Sequence, residues 1–228
     1  MITLINLNTN YILVIMSNIY NEGLNNFDVV YYINLKHRLD RFENISNQLN
    51  KTNISKEKIT RIEGIYYETF GILGCAKSHV MALESFIKSG KDTCLIFEDD
   101  FIFTKDQDFI NDLIDTFFNS VKSYDVLMLA SNILNSQETE YSFLRKIIDA
   151  QTLSGYSVSK KFAPILLHNF KESIMILEHH CIKIHQFCFD IYMKKLQPFS
   201  NWYCLDPKVG KQIKSYSDIE NNVVDYDC

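Results

Sequence analysis

Short apolar runs alternate with stretches of helical spacing over the first 130 residues, and this alternation constrains the fold most. The run 28–35 is apolar and rich in β-branched and aromatic residues, and 93–97 is also apolar. Residues 59–65 are a second short strand candidate, and 126–130 are a further strand. The intervening stretches repeat apolar residues every three or four positions: 38–49, 74–88 and 108–121. Strands that alternate with helices form a mostly parallel central sheet flanked by helices, so the sequence predicts an α/β protein.

Length and composition indicate one globular domain. The chain has 228 residues, of which 46% are hydrophobic, and only 3 Pro and 7 Gly. A second core would leave each half small, and so few Pro and Gly argue against a long disordered linker. We predict an Asn-rich N-terminal extension over residues 1–26 and a single domain over residues 27–228.

Charge and patterning exclude several classes of protein. The net charge is -5 and basic residues are scattered, so the basic stripe typical of nucleic-acid binding is missing. The apolar run at residues 11–16 is too short to span a membrane and lacks the features of a signal peptide. Six separated cysteines without a Cys-x-x-Cys pair favour reduced thiols. These features predict a cytoplasmic or otherwise soluble protein.

Three consecutive carboxylates, Glu98, Asp99 and Asp100, directly follow the apolar run 93–97. In open α/β sheets, ligands bind beyond the carboxyl ends of the strands. Adjacent carboxylates repel one another, and a hard cation such as Mn²⁺ or Mg²⁺ relieves that repulsion. On an extended chain Glu98 and Asp100 point to one side and Asp99 to the other. The alternative is a solvated polar loop.

The segments around this triplet resemble glycosyltransferase family 25, which includes bacterial lipooligosaccharide glycosyltransferases and procollagen galactosyltransferases. Three segments precede it: Tyr-Ile-Asn-Leu-Lys-His-Arg-Leu-Asp-Arg at 32–41, Arg-Ile-Glu-Gly at 61–64 and Gly-Ile-Leu-Gly-Cys-Ala-Lys-Ser-His at 71–79. Cys-Leu-Ile-Phe-Glu-Asp-Asp then occupies 94–100. Later segments are similar at 154–159, 190–193, 207–212 and 217–219. Two features depart from the family pattern: Glu63 stands where Asp is common, and 172–189 is longer and more helical.

The resemblance implies a GT-A type nucleotide-sugar fold and an inverting hexosyltransferase. It implies a UDP-sugar donor of galactose or glucose, and a glycan or protein acceptor, collagen-like protein included. A catalytically inactive sugar-nucleotide-binding or scaffold protein is the alternative. A nucleotidyltransferase is disfavoured because residues 34–41 lack a Gly-rich phosphate loop.

Donor and metal roles follow from these positions. Asp100 and Glu98 are the predicted metal ligands. The predicted donor-binding residues lie at strand ends or after paired glycines: Asn34, Arg38, Arg41, Glu63, Ser78, His79, Glu98 and Asp99. Guanidinium suits phosphate, and glycines allow the backbone to approach a ligand closely. The alternatives are a solvated helix face for the arginines and a structural role for the histidine.

Inversion requires a carboxylate base on the acceptor side. By its position in the resemblance Asp190 is the first choice and Asp218 the second, with a helix cap as the alternative for each. Gly155 and Tyr156 are candidates to shape the acceptor side, and Trp202 to stack on a sugar.

A rival metal site is also visible in the sequence. Cys181, His185 and Cys188 fall at i, i+4 and i+7, and on a helix they would share one face and a zinc ion. The spacing matches no common zinc module, and Cys and His also face protein cores.

Overall fold

The structure, a computed structural model, describes residues 22–219 and 222–225. Its strands are β1 (Val29–Asn34), β2 (Ile59–Glu63), β3 (Thr93–Glu98), β4 (Phe101–Phe103), β5 (Val126–Glu138), β6 (Leu144–Ser159), β7 (Trp202–Leu205), β8 (Gly210–Gln212), β9 (Ser215–Ser217) and β10 (Asn222–Val224). Its α-helices are α1 (Leu39–Asn50), α2 (Gly71–Ser89), α3 (Gln107–Ser120), α4 (Ala163–His180) and α5 (Phe189–Tyr192). Four 3₁₀ segments cover Gly23–Asn26, Lys56–Lys58, His185–Phe187 and Met193–Phe199.

The central sheet has six strands in the order β2-β1-β3-β6-β5-β7. β1 is parallel to β2 and β3, and β5 is parallel to β7, whereas β6 is antiparallel to each of its partners. Five strands therefore share one direction. This confirms the predicted α/β class with a mostly parallel sheet.

The antiparallel strand belongs to a long hairpin of β5 and β6. Only residues 126–130 were predicted as a strand, but β5 continues to Glu138. Register shifts interrupt the hairpin between Met128 and Ser136. The first three residues of β6, from Leu144 to Lys146, also pair with β7. The alternation that identifies the other strands is blurred by these bulges.

Two hydrophobic cores lie on opposite faces of the sheet. Cys94 and Ile96 of β3 lie in the core that contains α2 and α4. Leu95 and Phe97 lie in the core that contains α1 and α3. This is the period-two alternation of a strand buried on both faces. Of the apolar face predicted for residues 38–49, Leu39 is exposed, while Ile45 and Leu49 are buried.

Trp202 belongs to the first of these cores. Its side chain is fully buried on β7, and its ring meets Phe162 edge-on at 6.1 Å between centroids. The suggestion that Trp202 stacks on a sugar is therefore wrong, since no face of the indole reaches the surface.

The domain division predicted from sequence stays a prediction. Residues 1–21 of the proposed N-terminal extension lie outside the described residues. The described part, Gly23–Asn26, packs on α3, where the Leu24 N–H donates to Asn111 Oδ1 at 3.1 Å. Among the described residues, no helix is both long enough and apolar enough to cross a membrane.

Candidate functional site

Polar side chains gather where β1 and β3 end. The two strands are parallel with Ile33 opposite Glu98, so Asn34 and the three carboxylates emerge at one edge of the sheet. Asp99 and Asp100 form the turn into β4, and each residue is only 6% exposed. Asn44 of α1 fixes this turn by donating to the Asp99 carbonyl at 2.9 Å.

The three carboxylates have different partners. Asp99 accepts from Asn34 Nδ2 at 2.7 Å, whereas Glu98 and Asp100 share the amide of Gln212, at 3.2 and 3.3 Å. Glu98 and Asp100 therefore face one side together, as the alternation predicts. Arg41 bridges the turn, with its guanidinium 3.2 Å from Asp99 Oδ1 and 2.9 Å from Asp100 Oδ2.

The electrostatics of this cluster favour a further cation. Burial, reinforced by the charge of Glu98, raises the pKa of Asp100 to about 7, although Arg41 opposes the shift. Burial likewise raises the pKa of Asp99. Burial also acts to raise the pKa of Glu98, but the interactions with His79, Arg41 and Cys75 together outweigh it and the pKa is lowered. One arginine does not compensate three carboxylates.

The donor set of Glu98 and Asp100 fits a hard divalent cation. Both side chains present carboxylate oxygens, which Mn²⁺ and Mg²⁺ prefer. The amide of Gln212 lies between them and supplies a positive dipole where a cation would lie. These residues therefore fit the predicted metal.

A hydrogen-bonded chain leads from Glu98 into the core. His79 is fully buried, with Nε2 3.0 Å from Glu98 Oε1 and Nδ1 3.0 Å from the Tyr156 hydroxyl. Both ring nitrogens thus have protein partners, and His79 reaches the site through Glu98. Cys75 Sγ lies 3.8 Å from the same Oε1, and the ligand atoms of Cys75, His79 and Glu98 all lie within 4.8 Å, a grouping that can hold a metal ion.

Two clefts meet at this point. The first cleft is lined by Asn34, Arg41, Tyr66, Asp99, Asp100 and Asp218 among others. The second cleft is lined by Asn132, Gln151, Thr152, Lys183, His185 and Asp190 among others. The walls shared by both clefts are Cys75, Glu98, Gln212 and Ile219.

Arg38 and Asp218 bind each other at the rim of the first cleft. Arg38 is 8% exposed, and its guanidinium donates to the Asp218 carboxylate, to Asp40 and to the Tyr216 carbonyl. His37 Nε2 also lies 3.5 Å from Asp218. The two residues therefore fasten the C-terminal segment to the start of α1.

Ser78 and the paired glycines hold the walls of the first cleft. Ser78 Oγ accepts from the Ile65 N–H at 2.8 Å. A Cβ at Gly74 would lie 2.3 Å from the Ile65 carbonyl oxygen, and one at Gly71 would lie 2.9 Å from the Asp218 carbonyl oxygen. The idea that these glycines admit a ligand is thus corrected, because the neighbours they admit are other segments of the chain. Glu63 is exposed and lines neither cleft.

Asp190 lies in the second cleft at the start of α5. Burial, reinforced by the charge of Glu98, raises the pKa of Asp190, and hydrogen bonding from the Thr152 backbone opposes the shift. Thr152 has a φ of 65°, an outlying value for a β-branched residue. The backbone of β6 is therefore bent where it contacts Asp190.

Gly155 and Tyr156 line neither cleft. A Cβ at Gly155 would lie 2.6 Å from the Phe101 ring, and Tyr156 is fully buried beside His79. Their suggested place on the acceptor side is corrected: Gly155 makes room for Phe101, and Tyr156 acts through His79.

The zinc arrangement suggested for Cys181, His185 and Cys188 is not formed among the described residues. α4 ends at His180, and Cys181 has a φ of 56°, so the three residues share no helical face. Cys181 Sγ donates to the Glu178 carbonyl, and Cys188 Sγ to the Ile184 carbonyl.

Sequence reasoning gave no role to Gln212, Cys75 or Thr152. Gln212 and Cys75 stand inside segments that resemble the family, at 207–212 and 71–79, so a signal was present. The sequence gives no signal for a role of Thr152, because a left-handed backbone at a β-branched residue is imposed by tertiary structure.

Comparison with solved structures supports the fold. A glycosyltransferase involved in the glycosylation of the major capsid of PBCV-1 aligns with a TM-score of 0.51 and 9% identity, over 85% of this chain and 95% of that one. A197 from STIV gives 0.42 at 14% identity, covering 78% of this chain and 82% of that one. Mannose-1-phosphate geranyltransferase from Thermus thermophilus gives 0.40 at 8%, covering 78% and 72%.

Sequence comparison is more specific. The curated proteins give no match. The sequence model described as glycosyltransferase family 25 (LPS biosynthesis protein) matches residues 66–182, just over half of the chain, and this range includes His79, the three carboxylates and Thr152. The chain belongs to glycosyltransferase family 25.

Proposed function

We propose that the chain transfers galactose or glucose from a UDP-sugar to a hydroxyl of a glycan or protein acceptor, collagen-like protein included. The reaction proceeds with inversion, on a GT-A type fold, and with Mn²⁺ or Mg²⁺. Membership of family 25 supports glycosyl transfer. The observation that carries the proposal is the carboxylate cluster at the junction of two clefts.

The first cleft suits the donor. Asn34 Nδ2 donates to Asp99 and to the Arg38 carbonyl. Its buried Oδ1 has no hydrogen-bond partner among the described residues and is available to a donor hydroxyl or N–H. Tyr66 is 52% exposed on the same wall and offers an aromatic face for a base. Arg41 supplies fixed positive charge for a diphosphate.

Glu98 and Asp100 are the residues that would hold the metal. When bound, the cation neutralises charge that develops on the departing diphosphate. The protein fixes both carboxylates in advance, through His79 on Glu98 and through Arg41 on Asp100. Preorganised charge of this kind needs no rearrangement during the reaction.

The second cleft suits the acceptor, and Asp190 is the proposed base. Its carboxylate takes the proton of the acceptor hydroxyl while that oxygen bonds to the anomeric carbon and the UDP oxygen leaves on the opposite face. Asp218 is less suited to this role, because it lies in the first cleft and is paired with Arg38.

Release of UDP from a panel of UDP-sugars, with and without Mn²⁺, tests the proposal in the wild type and in Asp100→Ala. Metal-dependent release from one sugar, lost in the variant, is the expected result. Binding of a UDP-sugar without turnover under any condition would instead support the inactive sugar-nucleotide-binding or scaffold alternative. If UDP and every donor fail to bind, the proposal is wrong.

A further inference from the structure

The side chains of Cys75, His79 and Glu98 form a second, chemically different metal-binding set beside the carboxylates. Oε1 of Glu98 lies 3.0 Å from His79 Nε2 and 3.8 Å from Cys75 Sγ, and all three ligand atoms lie within 4.8 Å of one another. Zinc bonds of about 2.0 to 2.3 Å in a tetrahedron imply ligand separations of roughly 3.2 to 3.8 Å. The observed spacing therefore needs only small side-chain movements to receive an ion.

The surroundings of the three ligands suit a cation. Cys75 and Glu98 lie where the clefts meet, and Asp100 lines the first cleft and Asp190 the second, so carboxylates surround this point on both sides. The partner of His79 also fits. A histidine that binds a metal through one ring nitrogen usually makes a hydrogen bond through the other, which fixes the orientation of the ring. The Tyr156 hydroxyl, 3.0 Å from Nδ1, can accept a hydrogen bond from that nitrogen or donate one to it.

An ion can reach this set from solvent. Cys75 is half-buried rather than enclosed, and both Cys75 and Glu98 line both clefts. A nitrogen, a sulfur and a carboxylate oxygen make a softer set than the oxygens of Glu98 and Asp100. Thiolate and imidazole select Zn²⁺ over Mn²⁺ and Mg²⁺.

We propose that Cys75, His79 and Glu98 bind Zn²⁺, with the fourth position open to water at the junction of the two clefts. On binding, the Cys75 proton leaves to solvent and the neutral imidazole presents its Nε2 lone pair, with its proton on Nδ1 toward Tyr156. Because Glu98 belongs to both sets, Zn²⁺ here excludes Mn²⁺ from Glu98 and inhibits transfer. The inhibition rests on the proposed function, whereas zinc binding does not.

Co²⁺ tests the site without any donor or acceptor, because a thiolate ligand gives cobalt a charge-transfer absorption band in the near ultraviolet. The full chain is titrated with Co²⁺ as wild type, Cys75→Ser and Cys181→Ser, the last as a control at an exposed cysteine. The band is expected in the wild type and the control, is expected to be lost in Cys75→Ser, and is bleached by Zn²⁺. No band in the wild type, or a band that persists in Cys75→Ser, would overturn the proposal.

A measurement on the wild type alone covers the case in which Cys75→Ser fails to fold. Iodoacetamide labelling of each cysteine is followed by mass spectrometry, with and without Zn²⁺. Zinc is expected to slow labelling of Cys75 at least tenfold and to leave Cys181 unchanged, and equal rates at Cys75 refute zinc binding. Loss of Mn²⁺-dependent UDP release on adding Zn²⁺ then tests the inhibition separately.

Discussion

The side-chain amide of Gln212 donates to the carboxylate of Asp100 across 3.3 Å, although 112 residues separate them in the chain. The same nitrogen lies 3.2 Å from Glu98. In the protein alone, the amide of Gln212 thus partly offsets the negative charge of these two carboxylates. A divalent cation would bind them more strongly. This relationship makes the stability of the fold depend on the charge of the site.

Removing the charge of Asp100 is expected to stabilise the metal-free protein. The carboxyl has a folded-state pKa of about 7 against an ordinary value of 3.8, so the folded state binds the proton more tightly. Its contribution to the free energy of unfolding therefore falls as pH rises from about 4 to about 7 and is constant above that. In EDTA, Asp100→Asn should melt about 3 °C or more above the wild type at pH 8. The two proteins should converge near pH 4, and a pH-independent difference contradicts the assignment.

Removing Arg41 is expected to have the opposite effect. Arg41→Gln leaves Asp99 and Asp100 without their cation in a nearly buried setting, which costs about 3 to 5 kcal/mol of unfolding free energy. Urea unfolding measures the loss. Arg61→Gln, at an exposed arginine that stacks on Phe42, is the control and should cost under about 1 kcal/mol. Mn²⁺ should restore part of the stability of Arg41→Gln, and equal losses in both variants would count against the ion pairs.

Gly74→Ala is expected to destabilise the protein despite lying inside a helix, where alanine is normally favoured by about 1 kcal/mol. The new Cβ would lie 2.3 Å from the Ile65 carbonyl oxygen, a backbone atom that cannot rotate away. Overpacking of this kind costs about 1 to 3 kcal/mol. The displaced wall of the first cleft should also weaken UDP binding, as measured by calorimetry.

Gly90→Ala is the matched control for that experiment. Gly90 caps the end of α2 with a φ of 70°, and no atom of residues 22–219 or 222–225 lies within 4 Å of its Cβ position. Alanine there costs about 1 to 2 kcal/mol through backbone strain alone, and UDP affinity should be unchanged. If both variants lose UDP affinity equally, the contact with Ile65 does not shape the cleft.

Asp190→Asn is expected to separate transfer from donor binding. Loss of a general base should lower transfer to an acceptor about 10² to 10⁴-fold while the dissociation constant for UDP is unchanged. Because the pKa of Asp190 is raised and the base must be ionised, wild-type turnover should fall with decreasing pH at a higher pH than for an ordinary aspartate. Asp218→Asn, which breaks the pair with Arg38, should instead weaken UDP binding. The reverse pattern would exchange the two roles.

Local patterning was sufficient to predict much of the sheet. β1 and β3 are short, largely buried strands whose ends appear in sequence as abrupt changes from apolar to polar residues, and the carboxylates follow β3 directly. The parallel arrangement of these strands places Asn34 beside Asp99. The position of this edge was therefore predictable from periodicity and strand order.

Contacts between distant segments were not predictable in the same way. Gln212 reaches the site through the pairing of β8 with β4, two strands of three residues each that are too short to show a period. β6 enters the sheet antiparallel through a bulged hairpin, which the α/β alternation does not indicate. The location of Trp202 was also not predictable, because a single aromatic residue gives the same sequence signal in a core as at a sugar-binding site.

The position of Gln212, Ser217, Asp218 and Ile219 in the wall of the first cleft has a consequence for biosynthesis. A nascent chain that has left the ribosome through β7 already has every strand of the central sheet and all three carboxylates. It still lacks one side of the cleft and the clamp on Arg38. The nascent protein therefore acquires a complete first cleft only after residues 212–224 emerge. Proteolytic loss of that segment would remove the wall and leave all six strands of the central sheet in the chain.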